Sequence, residues 1–385
     1  MGNAHPADLH HIQVTFSQTW LQIMAKIISL FNNKGGVGKT TTLWNLATSL
    51  SEKDKKVLVI DFDPQCNLSI AMLGGEDFAK YLNSSEDSPY GKTIRAFALP
   101  TLQQSATGKA FTTTPKCLKT KLTEATPLNN IDIVPGDFWL NNFSDVLSVG
   151  TDVIGGSGLY RFLLPSNLVN AIESEKNKNY DFVLIDLPPS FNTIVRSALY
   201  SSDYFIVPCT PDLYSAYCIG LIGQVLPNFI DDWEQGQRRY LQSNPYDTVI
   251  QKKGKPKFGG WIFNGYDTRK PKDSSVPQKL PADRAQFDKV LSSVRDNLLP
   301  KLKEISSYVA VPDFVDDGPI ASIEDLNTMA PDSIEQSLPI KFLVDAKPTR
   351  NNSSRGYWSP NQKELMQKID REYDSLAQRI IDNFQ

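Results

Sequence analysis

Short apolar runs recur along the first 270 residues, and most are separated by segments in which apolar residues have helical spacing. Continuous apolar runs of this length are typical of strands buried on both faces, as in a parallel sheet covered by helices. Alternating strands and helices predict a doubly wound α/β fold with a mostly parallel sheet and helices on both faces. The six predicted strands are residues 27–31, 57–60, 131–135, 182–185, 204–207 and 260–263.

The same pattern predicts one large domain over residues 25–344, with insertions near 74–128 and 312–340. Residues 1–24 are expected to be an N-terminal extension, because Met24 reads like a natural chain start that runs directly into the first strand. Residues 345–385 are expected to form a linker and a C-terminal amphipathic helix. The apolar stripe of that helix is Leu365, Ile369, Tyr373, Leu376 and Ile380.

Composition narrows the functional classes. The formal net charge is −3, so the whole chain does not present the basic field of a nucleic-acid binder. The four cysteines include no Cys-x-x-Cys pair and the three histidines lie at the N-terminus, which disfavours a zinc site or an iron–sulfur cluster within one chain. Apolar runs are too short for a transmembrane helix, and the sparse cysteines fit a cytoplasmic protein.

A glycine-rich segment follows the first predicted strand and precedes a predicted helix over residues 41–50. Its glycines let backbone N–H groups converge on phosphate oxygens, and the helix directs its positive end at the same anion. Lys39 is placed to reach the β- and γ-phosphates, and the Thr40 hydroxyl is placed to ligate Mg²⁺. The predicted nucleotide-binding residues of this loop are Gly35, Gly36, Val37, Gly38, Lys39, Thr40 and Thr41.

Carboxylates follow two of the predicted strands. Asp61 and Asp63 come at the end of the second strand, and Asp186 at the end of the fourth. Carboxyl ends of parallel strands form the ligand-binding edge of an open α/β sheet. Asp186 after an apolar run fits a Walker B aspartate that orients Mg²⁺ through water. Of the earlier pair, one carboxylate can hold a Mg²⁺-bound water and the other can orient the attacking water, or both can cap the next helix.

The segment Lys34-Gly-Gly-Val-Gly-Lys39-Thr-Thr resembles the deviant Walker A motif of the ParA/MinD ATPases, which carries a second lysine at its start. Residues 61–65, Asp-Phe-Asp-Pro-Gln, are similar to the D-x-D-P-Q motif of that family. Pro188-Pro189 resembles its switch segment, and residues 207–221 resemble a stretch that packs near its dimer interface. The resemblance covers most of residues 25–270.

The resemblance implies ATP as the nucleotide and a face-to-face homodimer formed on ATP binding. Lys34 would then reach the nucleotide of the partner subunit. Asp63 would position the hydrolytic water, Asp61 would support the Mg²⁺ shell, and Asn264 would contact the adenine base. Catalytic roles are thus expected for Lys34, Lys39 and Asp63, and metal binding for Thr40, Asp61 and Asp186.

Other P-loop enzymes fit the sequence less well. A GTPase usually carries Asn-Lys-x-Asp, and the nearest match, residues 177–180, lacks the acid. An iron–sulfur member of the superfamily needs paired cysteines. A bacterial tyrosine kinase of this type needs a cluster of tyrosines at its C-terminus, whereas the last 25 residues contain a single tyrosine, Tyr373.

Two functional classes remain open. The first is an ATP-driven switch that partitions or positions DNA or protein cargo through nonspecific DNA binding, with slow hydrolysis stimulated by a partner protein. The second is a nucleotide-sensing regulatory ATPase in a multiprotein complex, without DNA binding. Residues 238–279 carry a local charge of +7, which is either a phosphate-binding patch or a solvated loop. Its candidate DNA contacts are Lys252, Lys253, Lys255 and Lys257.

Two further segments bear on partners. Residues 312–340 carry a local charge of −7 and fit either a partner surface or an insertion. The C-terminal helix has alternating charges and is not strongly basic, so we expect it to dock on its own core rather than on a membrane. Nucleoid association is expected only if the chain binds DNA.

Overall fold

The computed structural model describes residues 25–103, 105, 107–117, 126–148, 152–156, 158–269, 277–308, 318–349 and 356–385. The predicted N-terminal extension, residues 1–24, lies outside the described residues, as do parts of the charged segments and of the linker.

A seven-stranded sheet forms the centre of the structure, in the order β11-β8-β7-β1-β6-β2-β5, and every neighbouring pair is parallel. Four short strands form two antiparallel pairs outside it. The strands are β1 Lys26–Leu30, β2 Val57–Asp61, β3 Lys116–Cys117, β4 Thr126–Pro127, β5 Ile131–Val134, β6 Phe182–Asp186, β7 Tyr204–Cys209, β8 Lys257–Tyr266, β9 Thr268–Arg269, β10 Gln278–Lys279 and β11 Ala321–Glu324.

Helices follow most strands and cover both faces of the sheet. The first eight are α1 Lys39–Ser51, α2 Asn67–Leu73, α3 Gly75–Leu82, α4 Arg95–Gln103, α5 Phe143–Ser148, α6 Leu159–Phe162, α7 Leu164–Lys176 and α8 Thr193–Ser201. The others are α9 Leu213–Ser243, α10 Thr248–Lys252, α11 Pro281–Ser293, α12 Leu299–Lys303, α13 Met329–Glu335, α14 Ile340–Leu343 and α15 Pro360–Asn383. A 3₁₀ helix spans Phe138–Asn142, and a π-helix spans Val294–Leu298.

Two hydrophobic cores lie on opposite faces of the sheet. Successive residues of one strand point to opposite faces, so Ile27 belongs to one core and Ile28 to the other. The first core contains buried residues of α4–α9 and α11, and the second those of α1, α2 and α13–α15. This arrangement confirms the predicted doubly wound sheet with helices on both faces.

The C-terminal helix α15 packs against α1 and β11. Ile369, Tyr373, Leu376 and Ile380 of the predicted apolar stripe are buried in the second core. Ser359 starts the helix with a capping box, in which its hydroxyl and the Gln362 side chain satisfy each other's backbone N–H groups. The apolar stripe is therefore used for docking on the chain's own core.

Helix α9 is 31 residues long. Within the described part of the chain, it alone is long and apolar enough to cross a membrane, judged by length and composition. Its Ile219, Ile222, Leu226 and Ile230 lie in the first core, as in a core helix of a folded domain.

Strand β11, at the edge of the main sheet, lies in the acidic segment 312–340, where the sequence pattern indicated an insertion. Ala321 and Ile323 are buried while Ser322 and Glu324 are partly exposed. An edge strand with one half-exposed face lacks the continuous apolar run of the central strands. Part of this segment thus completes the main sheet.

Candidate functional site

The loop between β1 and α1 has the conformation of a phosphate-binding loop. Gly36 and Gly38 adopt φ angles of 72° and 79°, in the left-handed region that favours glycine. Gly38 caps the N-terminus of α1 without a side-chain hydrogen bond, so the first N–H groups of the helix are open to an anion. A Cβ atom on Gly38 would lie 2.1 Å from Nδ2 of Asn264, which leaves no room for a larger residue.

Lys39 lies inside this loop and is mostly buried. Its Nζ donates hydrogen bonds to the carbonyl oxygens of Asn32 and Lys34, each at 3.1 Å. Burial lowers the pKa of Lys39, and the charges of Asp186 and Asp63 oppose that shift. The ammonium therefore lies among carbonyl and carboxylate oxygens at the point where the loop would hold a phosphate chain.

Lys34, at the front edge of the loop, is held by its own chain. Its Nζ donates to Oγ1 of Thr210 at 2.7 Å and forms an ion pair with Asp212. Asp212 also caps α9, because its Oδ1 accepts from the backbone N–H of Ser215 at 3.0 Å. Sequence reasoning did not identify Thr210 and Asp212, although both lie in the 207–221 stretch.

Thr40 and Asp186 meet where a magnesium ion is predicted. The Thr40 hydroxyl donates to Oδ2 of Asp186 at 2.7 Å. The other oxygen, Oδ1, is buried without a hydrogen-bond partner, which is costly for a carboxylate. Burial, followed by the charge of Asp61, raises the pKa of Asp186 to about 8. An orphaned oxygen beside a hydroxyl fits a Mg²⁺ ion, which takes few protein ligands when phosphates supply the others.

Asp61, the other carboxylate of the predicted pair, is hydrogen-bonded within its own chain. Asp61 is fully buried, and its Oδ2 accepts from the N–H and the hydroxyl of Ser69, at 2.8 and 2.6 Å. Its Oδ1 accepts from the N–H of Asp63 at 3.3 Å. Burial raises the pKa of Asp61 to about 7, against the Ser69 hydrogen bonds. Oδ2 thus holds α2 through Ser69 and Oδ1 holds the backbone of Asp63, and the role of Asp61 in the Mg²⁺ shell stays a prediction.

Asp63, two residues further, does face the cleft. Its Oδ1 accepts one hydrogen bond, from the N–H of Gln65 at 2.9 Å. Burial raises the pKa of Asp63, while the Gln65 hydrogen bond and the Lys39 charge act in the opposite direction. The carboxylate retains free acceptor capacity next to the phosphate loop.

Asn264, the predicted base contact, lies beneath the loop. Its Nδ2 donates to the carbonyl oxygen of Val37 at 3.0 Å and to Oγ1 of Thr42 at 3.3 Å, and the residue is buried. The amide nitrogen is therefore committed to holding the loop against α1. This geometry adds a positioning role that the sequence did not indicate.

The four candidate DNA contacts do not form one exposed patch. Lys252 is exposed, but Lys253 is only 9% exposed. The Nζ of Lys253 donates to the carbonyl oxygen of Ser201 at 2.9 Å and to Oδ1 of Asp203 at 2.8 Å. A buried ammonium with two partners is not available to a phosphate, so the structure removes Lys253 from the candidate contacts.

Lys255 and Lys257 are partly exposed. Lys255 forms an ion pair with Glu234, and the Nζ of Lys257 lies 5.6 Å from the centre of the Tyr204 ring. Both lysines interact with other side chains of the chain, so Lys252 is the most exposed of the four candidate DNA contacts.

A cleft of about 390 Å³ runs from the phosphate-binding loop to α2 and α13. A second, larger cavity of about 850 Å³ lies between the start of α9 and α11. Leu213, Tyr214 and Tyr217, at the start of α9, are each more than 60% exposed. Their helix begins at Asp212, the partner of Lys34, so this apolar surface adjoins the phosphate-binding loop.

Comparisons with known proteins agree with this architecture. A family model described as an AAA domain matches residues 25–238. An uncharacterized protein of Methanocaldococcus jannaschii is 30% identical over 253 residues, which cover 66% of this chain and 76% of that protein. The chromosome partitioning protein ParA of Caulobacter vibrioides is 30% identical over 190 residues, 49% of this chain and 58% of ParA. The sporulation initiation inhibitor protein Soj of Bacillus subtilis is 29% identical over 192 residues, 50% of this chain and 61% of Soj.

Solved structures resemble the fold at lower sequence identity. A crystal structure from Corynebacterium diphtheriae has a TM-score of 0.55 at 20% identity, and covers 81% of this chain and 97% of its own. The structure of pnob8 ParA has a TM-score of 0.51 at 17% identity, and covers 93% of this chain and 99% of its own. Both show the likeness of the fold alone. The chain spans about three fifths of Soj and ParA.

Proposed function

The chain belongs to the ParA/MinD-like family of P-loop ATPases, and from that premise we propose that it is a Mg²⁺-dependent ATPase that dimerises on ATP binding. It hydrolyses ATP to ADP and phosphate, slowly and under stimulation by a partner protein. Its cycle partitions or positions DNA or protein cargo through nonspecific DNA binding, in the cytoplasm and on the nucleoid.

One observation carries the enzymatic part of the proposal. The start of α1 and the Lys39 side chain line one cleft, and Asp186, which has an orphaned oxygen, lies directly behind it and accepts from the hydroxyl of the cleft residue Thr40. Backbone donors and a buried cation bind a phosphate chain, and an unpaired carboxylate oxygen beside a hydroxyl binds a divalent cation. This combination supports a nucleoside triphosphate with Mg²⁺.

Each residue has a distinct task in the proposal. Lys39 and the loop N–H groups bind and orient the phosphates. Thr40 and Asp186 would hold Mg²⁺, which when bound neutralises phosphate charge. Asp63 orients a water molecule at the cleft by accepting its proton in a hydrogen bond. Lys34 leaves Asp212 and reaches the nucleotide of a second subunit.

The surface at the start of α9 supports dimerisation. Leu213, Tyr214 and Tyr217 expose large apolar side chains on one helix, which is unusual for a surface without a partner. Because this surface adjoins Lys34, a second copy seated there brings the two phosphate loops towards each other. Residues 25–344 form the ATPase domain of this proposal, and residues 345–385 its C-terminal linker and helix.

The proposal is tested by sedimentation with DNA, with liposomes and with neither, at fixed salt, with ATP, ADP or no nucleotide. ATP-dependent dimers that sediment with DNA, less so as salt increases, are the expected result. Dimers that form with ATP but never bind DNA would favour the alternative, a regulatory ATPase in a protein complex. The exposed aromatic side chains of α9 fit that alternative as well, because a different protein can use the same surface.

A further inference from the structure

Asn32 lies between the end of β1 and the phosphate-binding loop, and its buried side chain joins two separate parts of the chain. Its Nδ2 donates to the carbonyl oxygen of Pro208, on the neighbouring strand β7, at 2.7 Å. Its Oδ1 accepts from the backbone N–H of Lys34 at 2.9 Å. One amide therefore connects the front of the loop to β7. The motif that predicted the loop begins at Lys34 and does not include Asn32.

The bond to the Lys34 N–H shapes the first turn of the loop. An asparagine oxygen that accepts from the N–H two residues later closes an Asx-turn, which takes the place of a backbone turn. The Nζ of Lys39 donates to the carbonyl oxygens of Asn32 and Lys34, which lie at the two ends of this turn, each at 3.1 Å. The side chain of Asn32 thus helps to orient the two carbonyl groups that hold the Lys39 ammonium.

The bond to Pro208 fixes the loop relative to the segment that holds the Lys34 side chain. Two residues after Pro208 comes Thr210, and Asp212 follows it at the start of α9. The Nζ of Lys34 donates to Oγ1 of Thr210 at 2.7 Å and forms an ion pair with Asp212. The Asn32 amide therefore joins the backbone of Lys34 to the segment that carries the partners of its ammonium.

Burial makes the Asn32 amide the fixed part of this arrangement. Asn32 is 0% exposed, whereas the side chain of Lys34 is 21% exposed. Removing one partner of a buried hydrogen bond leaves the other unpaired, which costs free energy. The Lys34 ammonium can exchange its partners for water or a ligand at a lower cost, because a partly exposed ion pair is weak. The amide thus sets the geometry, and the lysine side chain is the part that can move.

We infer that Asn32 is a positioning residue for both lysines of the loop. It holds Lys39 towards the phosphate cleft, and it keeps the backbone of Lys34 beside the start of α9. Among the described residues, those that line the cleft do not include Asn32, so it acts through the two lysines and not by contact with the nucleotide. Its effect on ATP hydrolysis rests on the proposed function, whereas its hold on Lys34 does not.

Two substitutions separate the hydrogen bonds of Asn32. Asn32→Ala removes both the donor to Pro208 and the acceptor for the Lys34 N–H. Asn32→Asp keeps an acceptor for Lys34, because aspartate also forms Asx-turns, but it places a carboxylate oxygen opposite the Pro208 carbonyl. Because Asn32→Asp preserves the volume of the side chain, it provides the test if Asn32→Ala does not fold.

Asn45→Ala is the matched control. Asn45, on α1, is 3% exposed and also bridges two parts of the chain. Its Nδ2 donates to the carbonyl oxygen of Thr41 at 2.8 Å, and its Oδ1 accepts from the N–H of Ile340, on α14, at 2.8 Å. The control thus removes the same two kinds of hydrogen bond from a buried asparagine, and neither bond involves a lysine of the loop.

The first measurement is the rate at which an N-hydroxysuccinimide ester acetylates Lys34 in protein without nucleotide, followed by mass spectrometry. Lys80, whose side chain is 73% exposed, is the internal reference. We expect Lys34 to react about 3-fold faster in both Asn32 variants, because a shifted backbone weakens the hydrogen bond and the ion pair of its amine. Asn45→Ala should leave the rate unchanged. An unchanged rate in both Asn32 variants overturns the inference, and so does an equal increase in Asn45→Ala.

The second measurement is steady-state phosphate release from ATP with Mg²⁺ present. We expect Asn32→Ala to lower kcat about 10-fold and to leave KM within about 3-fold, because the loop still binds phosphates while its lysines are misplaced for the reaction. Asn45→Ala should keep both constants within about 2-fold of the wild type. A purely structural role for Asn32 predicts the wild-type kcat in Asn32→Ala or an equal loss in the control, and either result contradicts positioning.

The two measurements fail in different ways. If the wild type neither binds nor hydrolyses ATP, the proposed function is wrong. The acetylation rates, which need no nucleotide, then still decide whether Asn32 positions Lys34. If the wild type hydrolyses ATP and Lys34 reacts equally in all four proteins, the proposed function stands and the inference about Asn32 is wrong.

Discussion

The ammonium of Lys34 and the carboxylate of Asp212 form an ion pair between the phosphate-binding loop and the start of α9. Hydrogen bonds from Lys34 and Thr210 outweigh the effect of burial and lower the pKa of Asp212. The lysine that the proposal sends to the partner subunit is thus held within its own chain in this structure. Release from Asp212 must precede any contact across a dimer.

Asp212→Asn should therefore favour the ATP-dependent dimer. Asparagine caps a helix as well as aspartate does, so α9 keeps its N-terminus while the ion pair is lost. Both partners are partly exposed, with side-chain exposures of 21% and 38%, so the pair contributes less than about 1 kcal/mol. We expect dimers to form at an ATP concentration up to about 5-fold lower, measured by analytical ultracentrifugation. Asp231→Asn, elsewhere on α9, is the control, and an equal shift there would contradict the argument.

Asp63→Ala should separate ATP binding from hydrolysis. Asp63 faces the cleft and accepts a single hydrogen bond from Gln65, so its removal leaves the phosphate loop intact. We expect ATP affinity within about 3-fold of the wild type, phosphate release slower by about 100-fold, and accumulation of the dimer. Phosphate release and calorimetry measure the two effects. Asp77→Ala, at an exposed residue of α3, should change neither, and wild-type hydrolysis by Asp63→Ala would exclude the proposed role.

Gly38→Ala should destabilise the nucleotide-free protein more than Gly36→Ala. Both glycines have positive φ angles, so each substitution costs about 1–2 kcal/mol of backbone strain. At Gly36 nothing lies within 4 Å of an added Cβ, whereas at Gly38 the Cβ displaces Asn264 from Val37 and Thr42. The second substitution should therefore cost about 1–2 kcal/mol more. Urea unfolding without nucleotide measures both values, and equal losses would show that Asn264 does not support the loop.

Much of the fold and of the phosphate site could be predicted, because the relevant interactions are local in sequence. The central strands are buried on both faces and read as continuous apolar runs, and the P-loop joins one of them, β1, to helix α1. Edge strand β11 pairs with one neighbour and alternates buried with exposed residues, so its run is broken. The sequence pattern therefore did not predict this strand, and its position in the sheet is known from its pairing with β8 in the structure.

Residue roles were harder to predict where a partner lies far along the chain. A count of local charge cannot detect Asp203, 50 positions from Lys253, which turns a candidate DNA contact into a buried ion pair. In the same way, the motif around Asp61 does not reveal that Ser69, on the following helix, occupies its oxygen. The spacing of residues in the sequence predicts which side chains lie near the site. Tertiary contacts decide which of those side chains still have a donor or acceptor atom available to a ligand.

Lys252 and Lys253 should respond differently to substitution by alanine. Lys252→Ala removes an exposed charge, so we expect weaker DNA retention, a salt dependence reduced by about one phosphate contact, and an unchanged Tm. Lys253→Ala leaves Asp203 without its buried cation and should lower the free energy of unfolding by about 1–3 kcal/mol. Fluorescence anisotropy over a salt series and thermal unfolding measure these effects. A loss of DNA binding in Lys253→Ala at unchanged Tm would contradict the buried role of Lys253.

Asp132 should contribute stability that depends on pH. Burial acts to raise the pKa of this carboxyl, but hydrogen bonds from Lys178, Tyr180 and Thr114 outweigh it and lower the pKa. A group whose pKa is lower in the folded state stabilises the fold above its unfolded pKa of about 3.9, and this contribution disappears as the pH falls through the folded pKa.

Asp132→Asn should therefore reduce the free energy of unfolding by about 2 kcal/mol at pH 7, because Lys178 and Tyr180 lose a charged acceptor. The difference between variant and wild type should shrink as the pH falls below about 4, where the carboxyl of the unfolded wild type takes up a proton, and should be smallest once the pH is below the lowered pKa of the folded state. Urea unfolding over a pH series measures this difference. Asp54→Asn, at an exposed turn, should remain within about 0.5 kcal/mol of the wild type throughout. A difference that stays constant from pH 7 to pH 3 would show that packing, and not the ionised carboxylate, is what Asp132 contributes.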